Sequence, residues 1–227
     1  MTPEEMREWI ASKLDPIATY DPAARRVNSD FDLNPAQNPG ARTLTPAAVL
    51  VPLVEHEAGV TILLTRRSDT LRKHTGQIAF PGGRSDPGET PWETALREAR
   101  EEVGLDAAHV QIAGLSSAYQ TGTGYDITPV VGFVRPGFVL TPSPDEVAEV
   151  FEAPFAFLMD PQNHERRFME QASGLRRYFY AMPYEDRIIW GATAGMLRVL
   201  YERLYGPAPE AAEGQAMAPG AFGIPHV

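Results

Sequence analysis

The chain has 227 residues, of which 43% are hydrophobic, enough for one well-buried catalytic domain with short additions at its ends. It contains no cysteine, which excludes disulfides, thiolate nucleophiles and zinc–thiolate sites. The formal net charge of −10 at pH 7 argues against general nucleic-acid binding, which requires a basic surface.

The first predicted elements are an amphipathic helix and a β-hairpin. Residues 2–14 carry apolar side chains at helical spacing, and they are too charged for a signal peptide. Residues 21–42 are rich in Pro, Asn and Asp, which is typical of an extended loop. Residues 47–55 and 60–65 are β-rich runs around a short turn. Because Pro52 interrupts the longest apolar run, we expect no membrane span. We also expect a cytoplasmic protein.

The remaining elements predict a catalytic domain of alternating strands and helices. The pattern indicates a short strand at 78–80, a helix at 91–103, strands at 110–119, 127–134 and 176–182, and a long helix at 186–205. The composition after Pro207 predicts a flexible tail. The expected organisation is an N-terminal helix and extended loop (1–42), a catalytic domain (43–206) and a flexible C-terminal tail (207–227).

The helix at 91–103 carries three closely spaced glutamates. Thr90 and Glu93 have the spacing of a capping box, and Gly104 supplies a stop. Its acidic set, Glu98, Glu101 and Glu102, lies at i, i+3 and i+4, where like charges repel. A divalent cation with a preference for oxygen ligands would compensate this repulsion. The alternative is a solvated acidic face.

The spacing around this helix carries a family resemblance. Gly83 is followed after five residues by Glu89, and after seven more by the run REAREEVGL at 97–105. This arrangement resembles the Nudix box at every defining position. The resemblance implies an α/β protein with the Nudix α/β/α sandwich and a mixed β-sheet, and it implies hydrolysis of a phosphoanhydride.

A second pattern lies immediately upstream of the box. It consists of LLTRRS at 63–68, Arg72, Gly76 and FPGG at 80–83, and it is similar to the signature of the coenzyme A pyrophosphatase branch of the Nudix hydrolases. Four of its residues, Arg67, Arg72, Gly76 and Phe80, together with the adjacent Lys73, are candidates for substrate binding. The basic side chains among them suit peripheral phosphates, such as the 3′-phosphate that distinguishes coenzyme A from ADP.

The Nudix resemblance also implies roles for the acidic residues. Glu98 and Glu102 are expected to hold Mg²⁺ or Mn²⁺, with Glu101 either adding a ligand or deprotonating the attacking water. The carbonyl of Gly82 or Gly83 is a candidate further ligand. Glu146, Glu149 and Glu152 are candidates for a general base outside the helix, although each alone fits a plain surface acid. Glu89 and Arg97 are expected to pair and to fix the loop against the helix.

The function expected from these patterns is hydrolysis of coenzyme A, or of its acyl or oxidised forms, to 3′,5′-ADP and 4′-phosphopantetheine. One alternative keeps the chemistry but takes NADH, ADP-ribose or a nucleoside triphosphate. Another is a non-catalytic Nudix ligand-binding module, which would be expected to lose the box glutamates. We expect a small-molecule substrate, no nucleic-acid or membrane partner, and a monomer or homodimer.

Overall fold

The computed structural model describes residues 2–68 and 76–218 of the chain. Its α-helices are α1, Pro3–Lys13; α2, Pro91–Val103; α3, Phe155–Leu158; and α4, Ala192–Tyr205. Its strands are β1, Val27–Ser29; β2, Thr45–His56; β3, Gly59–Arg67; β4, Ile78–Ala79; β5, Gly82–Arg84; β6, Val110–Leu115; β7, Ala118–Gln120; β8, Tyr125–Val134; β9, Val147–Pro154; β10, Glu165–Glu170; β11, Arg176–Tyr184; β12, Arg187–Trp190; and β13, Ala212–Ala216.

The larger sheet has nine strands and is mixed. Its order is β1-β7-β8-β2-β3-β4, while β5 pairs with β2, β6 with β8 and β9 with β3. The central pair, β2 and β8, runs parallel from Thr45 opposite Tyr125 to Val54 opposite Val134. The predicted hairpin of β2 and β3 is confirmed, because these strands pair antiparallel as far as His56 opposite Gly59.

The sheet is covered by helices on both faces. Alternate residues of β2 point to opposite sides, so Ala48 and Leu50 join the core beneath α2, whereas Val49 and Val51 join the core beneath α4. The α4 side of the core also includes Ile10 of α1. This layering is the expected α/β/α sandwich with a mixed sheet.

A smaller sheet stands beside the sandwich in the order β12-β11-β10-β13. Its own core contains Met169, Phe179, Ala181 and Met217. The flexible tail expected from residue 207 is therefore wrong for residues 212–216, which form β13 parallel to β10. The sequence missed this strand because its small and polar residues gain order from pairing with β10 and from burial of the neighbouring Met217, not from a local pattern.

The predicted helix at 186–205 is wrong in its first third. Residues 187–190 form β12, which pairs antiparallel with β11. Gly191 then turns the chain in a left-handed conformation with φ 65°, and α4 begins at Ala192. The β-branched pair Ile188–Ile189 favours the strand, and cross-strand packing against Met182 decides it.

The N-terminal segment packs against the domain at two places. Trp9 of α1 lies 5.1 Å, between ring centroids, from Tyr205 of α4. Within the segment expected to be an extended loop, β1 adds a parallel strand next to β7, with Val27 opposite Ala118. None of the helices in residues 2–68 and 76–218 is long and apolar enough to cross a membrane.

Candidate active site

The glutamate-bearing helix α2 begins and ends where the sequence predicts. Thr90 accepts a hydrogen bond from the Glu93 amide, while Glu93 accepts one from the Thr90 amide, which completes the capping box. Gly104 takes the left-handed conformation with φ 73° and ends the helix. Ala95 and Ala99 are buried on the sheet, and this burial fixes which way the acidic side chains point.

Glu102 is the most buried acid of the site. It is only 4% exposed. Its Oε2 accepts a hydrogen bond of 3.1 Å from the Gly82 amide, and its Oε1 lies 3.7 Å from Nη1 of Arg67. Burial raises the pKa of Glu102 to about 7, although the Gly82 amide and the Arg67 charge both act to lower it. The site therefore holds a carboxylate whose charge is incompletely compensated by protein groups.

Glu98 lies against the glycine turn that precedes α2. A Cβ atom added to Gly83 would be 2.6 Å from the Glu98 carboxyl carbon and from both of its oxygens. Gly83 belongs to β5, which is fixed by pairing with β2. Burial raises the pKa of Glu98, opposed by a 2.9 Å hydrogen bond from Nη1 of Arg97. The absence of a side chain at Gly83 thus makes the space that this carboxylate occupies.

Glu101 lies near Glu98, because Nη1 of Arg97 donates to both carboxylates, but Glu101 is much more exposed. Its side chain is 57% exposed and accepts a 3.1 Å hydrogen bond from Nη1 of Arg97. The structure therefore brings together Glu98, Glu102 and Gly83 of the predicted metal ligands, and it leaves Glu101 at the solvent edge of the helix.

The expected pairing of Glu89 with Arg97 is present. The Arg97 guanidinium donates from Nε and Nη2 to the two Glu89 oxygens, at 2.7 and 2.9 Å. Glu89 also accepts hydrogen bonds from the Thr94 hydroxyl and the Asp86 amide. Arg97, followed by the Asp86 amide, lowers the pKa of Glu89 to about 2. Because Arg97 also donates to the Arg84 carbonyl, it ties the glycine turn to the helix.

The three candidate bases outside the helix have different surroundings. Glu152 is hydrogen-bonded to His56 and to the Thr61 hydroxyl. Glu146 is exposed in the turn before β9, and its charge contributes to raising the pKa values of Glu98 and Glu102, so it lies within electrostatic reach of both. Glu149 is held by Arg187 and Arg66, and these arginines lower its pKa. A carboxylate in two ion pairs is a poorer proton acceptor, which favours Glu146.

The predicted substrate-binding residues are only partly brought to one place. Arg67 lies between Glu102 and the cleft described next, and its buried Nε has no hydrogen-bond partner among the described residues. Phe80 is 2% exposed, packs into the core and forms part of the cleft wall. Gly76 has a positive φ of 67° in the turn before β4. Arg72 and Lys73 lie outside the described residues.

A cleft of about 430 Å³ opens beside the glycine turn, between the larger and the smaller sheet. Gly82, Gly83 and Arg67 line it at the catalytic end. The sequence did not identify the opposite wall, formed by Asp30 near the N-terminus and by residues of β11, β12 and α4. These include Arg177, Tyr178, Phe179, Tyr180, Trp190 and Met196. No local motif marks them, because distant segments meet only in the folded protein.

Two tyrosines that flank the loop between β7 and β8 also contribute to the cleft. Tyr119 and Tyr125 line it, as do Thr121 and Thr123 of the loop between them. The cleft lining is mainly apolar with a small number of polar groups, which is usual for small-molecule sites.

The carboxylates of α2 fit a divalent cation in their chemistry. No three acidic or histidine side chains within residues 2–68 and 76–218 are arranged closely enough to bind one ion by themselves. Glu98 and Glu102 nevertheless present oxygen ligands in a buried space, beside a glycine that leaves room next to them. Both have raised pKa values, as expected where the compensating positive charge is not supplied by the protein alone.

Comparison with known proteins identifies the class to which this fold and site belong. The family model for the NUDIX domain matches residues 44–172 of the sequence. This span contains the glycine turn, α2 and the candidate bases. The chain belongs to the Nudix hydrolase family, whose members generally require divalent cations such as Mg²⁺ or Mn²⁺.

Similar relatives carry the same family name. A protein of Yersinia enterocolitica, named as an uncharacterized Nudix hydrolase, NudL, is 40% identical over 159 residues, which cover 70% of this chain and 80% of the relative. A protein of the same name from Photorhabdus laumondii is 41% identical over 160 residues, covering 70% and 84%. Among solved structures, the MutT protein from Methanosarcina mazei Go1 aligns with a TM-score of 0.46 and 21% identity, over 72% of this chain and 96% of that one.

Proposed function

We propose that this Nudix hydrolase cleaves the pyrophosphate bond of coenzyme A, giving 3′,5′-ADP and 4′-phosphopantetheine. The observation that carries the proposal is the position of Arg67. This residue of the upstream pattern lies 3.7 Å from Glu102 and lines the cleft. Arg67 therefore links the described part of the pattern that is similar to the coenzyme A pyrophosphatase signature to the glutamates of the Nudix helix.

Glu98 and Glu102 would hold the divalent cation. When bound, such a cation neutralises phosphate charge and lowers the pKa of a coordinated water. The chain's own contribution is to fix the two carboxylates: the Gly82 amide orients Glu102, and the bare backbone of Gly83 admits Glu98. Arg97, anchored by Glu89, holds Glu98 from the opposite side.

Arg67 is suited to bind the diphosphate itself. Its side chain is 31% exposed and lines the cleft, and its Nη1 lies 3.7 Å from Oε1 of Glu102. An arginine in this position, next to the acids that would hold the metal, can donate to a phosphate oxygen and stabilise the charge that develops in the transition state.

Glu146 is proposed as the general base. In the reaction the water oxygen forms a bond to phosphorus, the anhydride P–O bond breaks, and the leaving phosphate takes the electron pair. The proton of the water passes to a carboxylate. Glu146 carries no ion pair among those recorded for the described residues, and its charge reaches both Glu98 and Glu102. Glu101 is the competing candidate, because it lies next to Glu102 on α2. Unlike Glu146, however, Glu101 is hydrogen-bonded to Arg97.

A substrate panel tests the proposal. The purified chain is incubated with Mg²⁺ and, separately, with coenzyme A, NADH, ADP-ribose and dATP, and the products are identified by mass spectrometry. The highest kcat/KM is expected for coenzyme A. Faster cleavage of NADH or ADP-ribose would replace the coenzyme A assignment with the broader nucleotide-pyrophosphatase alternative, and no cleavage of any substrate would favour a binding module.

A further inference from the structure

Arg177 lines the cleft from the smaller sheet, whereas Arg67 and Arg84, the other arginines among the described lining residues, belong to the larger sheet. Arg177 belongs to β11, beyond residues 44–172 that match the family model. Its neighbour Arg176 is not part of the cleft lining. The Arg176 side chain is 54% exposed, and its guanidinium carbon lies 4.4 Å from the centre of the Phe168 ring.

The Arg177 side chain is held in place by residues from two other segments. Its Nη2 lies 3.3 Å from Oδ2 of Asp30, and the same oxygen accepts a 2.6 Å hydrogen bond from the Gly122 amide. The guanidinium lies directly over Gly122, where an added Cβ would overlap Nη2 and come within 2.9 Å of Cζ. A guanidinium fixed this way loses little entropy on binding a ligand.

Donor groups of Arg177 remain available to a ligand. Within the described residues its recorded side-chain hydrogen bond uses Nη2 alone, so Nε and Nη1 have no protein acceptor. The side chain is 32% exposed. Thr123 and Tyr125, which carry hydroxyl groups, line the same cleft. A planar guanidinium with neighbouring hydroxyls is a suitable receptor for a phosphate monoester.

We propose that Arg177 determines substrate specificity by binding a phosphate monoester outside the scissile diphosphate. The inference rests on the proposed function, because in coenzyme A that group is the 3′-phosphate of the ADP half. Arg67 lies near Glu102 and Arg84 directly follows the glycine turn, whereas Arg177 lines the cleft from the smaller sheet. The aromatic lining from β11, including Tyr178 and Tyr180, suits the adenine ring.

Kinetics with a matched pair of substrates test this role. Coenzyme A and 3′-dephospho-coenzyme A differ by the single phosphate, and kcat and KM are measured for both with the full chain and Mg²⁺. In Arg177→Gln, the KM for coenzyme A is expected to rise about tenfold through loss of a charge-assisted hydrogen bond. The KM for the dephospho substrate and both kcat values are expected to stay within about twofold. Arg176→Gln, adjacent on β11 but outside the cleft lining, is the matched control and should change neither KM.

The outcomes separate this inference from the proposed function. If the wild-type chain cleaves neither substrate, the proposed function fails and this inference fails with it. If the wild type cleaves coenzyme A but Arg177→Gln raises both KM values equally, or neither, the specificity role is refuted while the function stands. Should Arg177→Gln fail to fold, Arg177→Lys retains the charge, and a KM increase that is no larger for coenzyme A than for the dephospho substrate would also refute the role.

Discussion

Alanine substitutions at the two adjacent glycines of the turn should have opposite consequences. In Gly83→Ala, the new Cβ would lie 2.6 Å from the Glu98 carboxylate, against 3.4 Å or more in an ordinary contact. The carboxylate is the mobile end of a side chain, so it can retreat by roughly 1 Å, and a shift of this size in a catalytic group costs about 100-fold in rate. The free energy of unfolding should change by no more than about 1 kcal/mol.

Gly82→Ala should instead damage the fold. Its Cβ would lie 2.5 Å from the main-chain oxygen of Ala48 and 2.6 Å from the Cα of Val49. These atoms belong to the centre of β2 and cannot move without displacing the sheet, so a loss of about 1–3 kcal/mol is expected.

The assay pairs urea unfolding with steady-state kinetics on coenzyme A for both variants. We expect Gly83→Ala to remain stable and to lose about 100-fold in rate, whereas Gly82→Ala should be destabilised. It would be refuted by a Gly83→Ala protein with wild-type kcat/KM, since the Glu98 carboxylate would then not need the position that it occupies beside Gly83.

Three further predictions follow from the ion pairs and the smaller sheet. Arg97 holds the pKa of Glu89 at about 2, below the ordinary 4.5, so this pair stabilises the fold above about pH 4.5 and its contribution is lost as the pH falls towards 2. Urea unfolding at pH 6 and pH 3 should therefore show a smaller pH effect in Glu89→Gln, and an unchanged effect would contradict the assignment. Glu146→Gln should lower kcat about 100-fold or more, whereas Glu149→Gln should change it by only a few-fold; the reverse order would make Glu149 the base. Met217→Ala should cost about 2 kcal/mol in the free energy of unfolding by opening the core of the smaller sheet, and no change would indicate that β13 is dispensable.

The catalytic helix was predictable because its determinants are local. A capping box, a left-handed glycine and apolar residues at helical spacing all lie within fifteen residues, and the helix forms where they predict. Local spacing did not show that Glu101 would be more exposed than Glu98 and Glu102. This difference in exposure depends on how the buried face of α2 docks on the sheet, which exposes Glu101 and buries Glu102.

The second wall of the cleft was not predictable, because it depends on contacts between distant segments. Asp30 meets Arg177 across 147 positions of the chain, and neither residue lies in a recognisable motif. The strand at 187–190 has a similar origin. Ile189 fits the helical spacing of α4, but pairing with β11 and the turn at Gly191 place it in a strand.

Product analysis with coenzyme A tests the central claim most directly. The wild-type chain and Glu102→Gln, each with Mg²⁺ and coenzyme A, are compared by mass spectrometry and by initial rate. The account predicts equal amounts of 3′,5′-ADP and 4′-phosphopantetheine from the wild type, and a rate at least about 100-fold lower from the folded variant, because Glu102 would hold the metal. A variant with the wild-type rate, or a wild type that forms neither product, would contradict it.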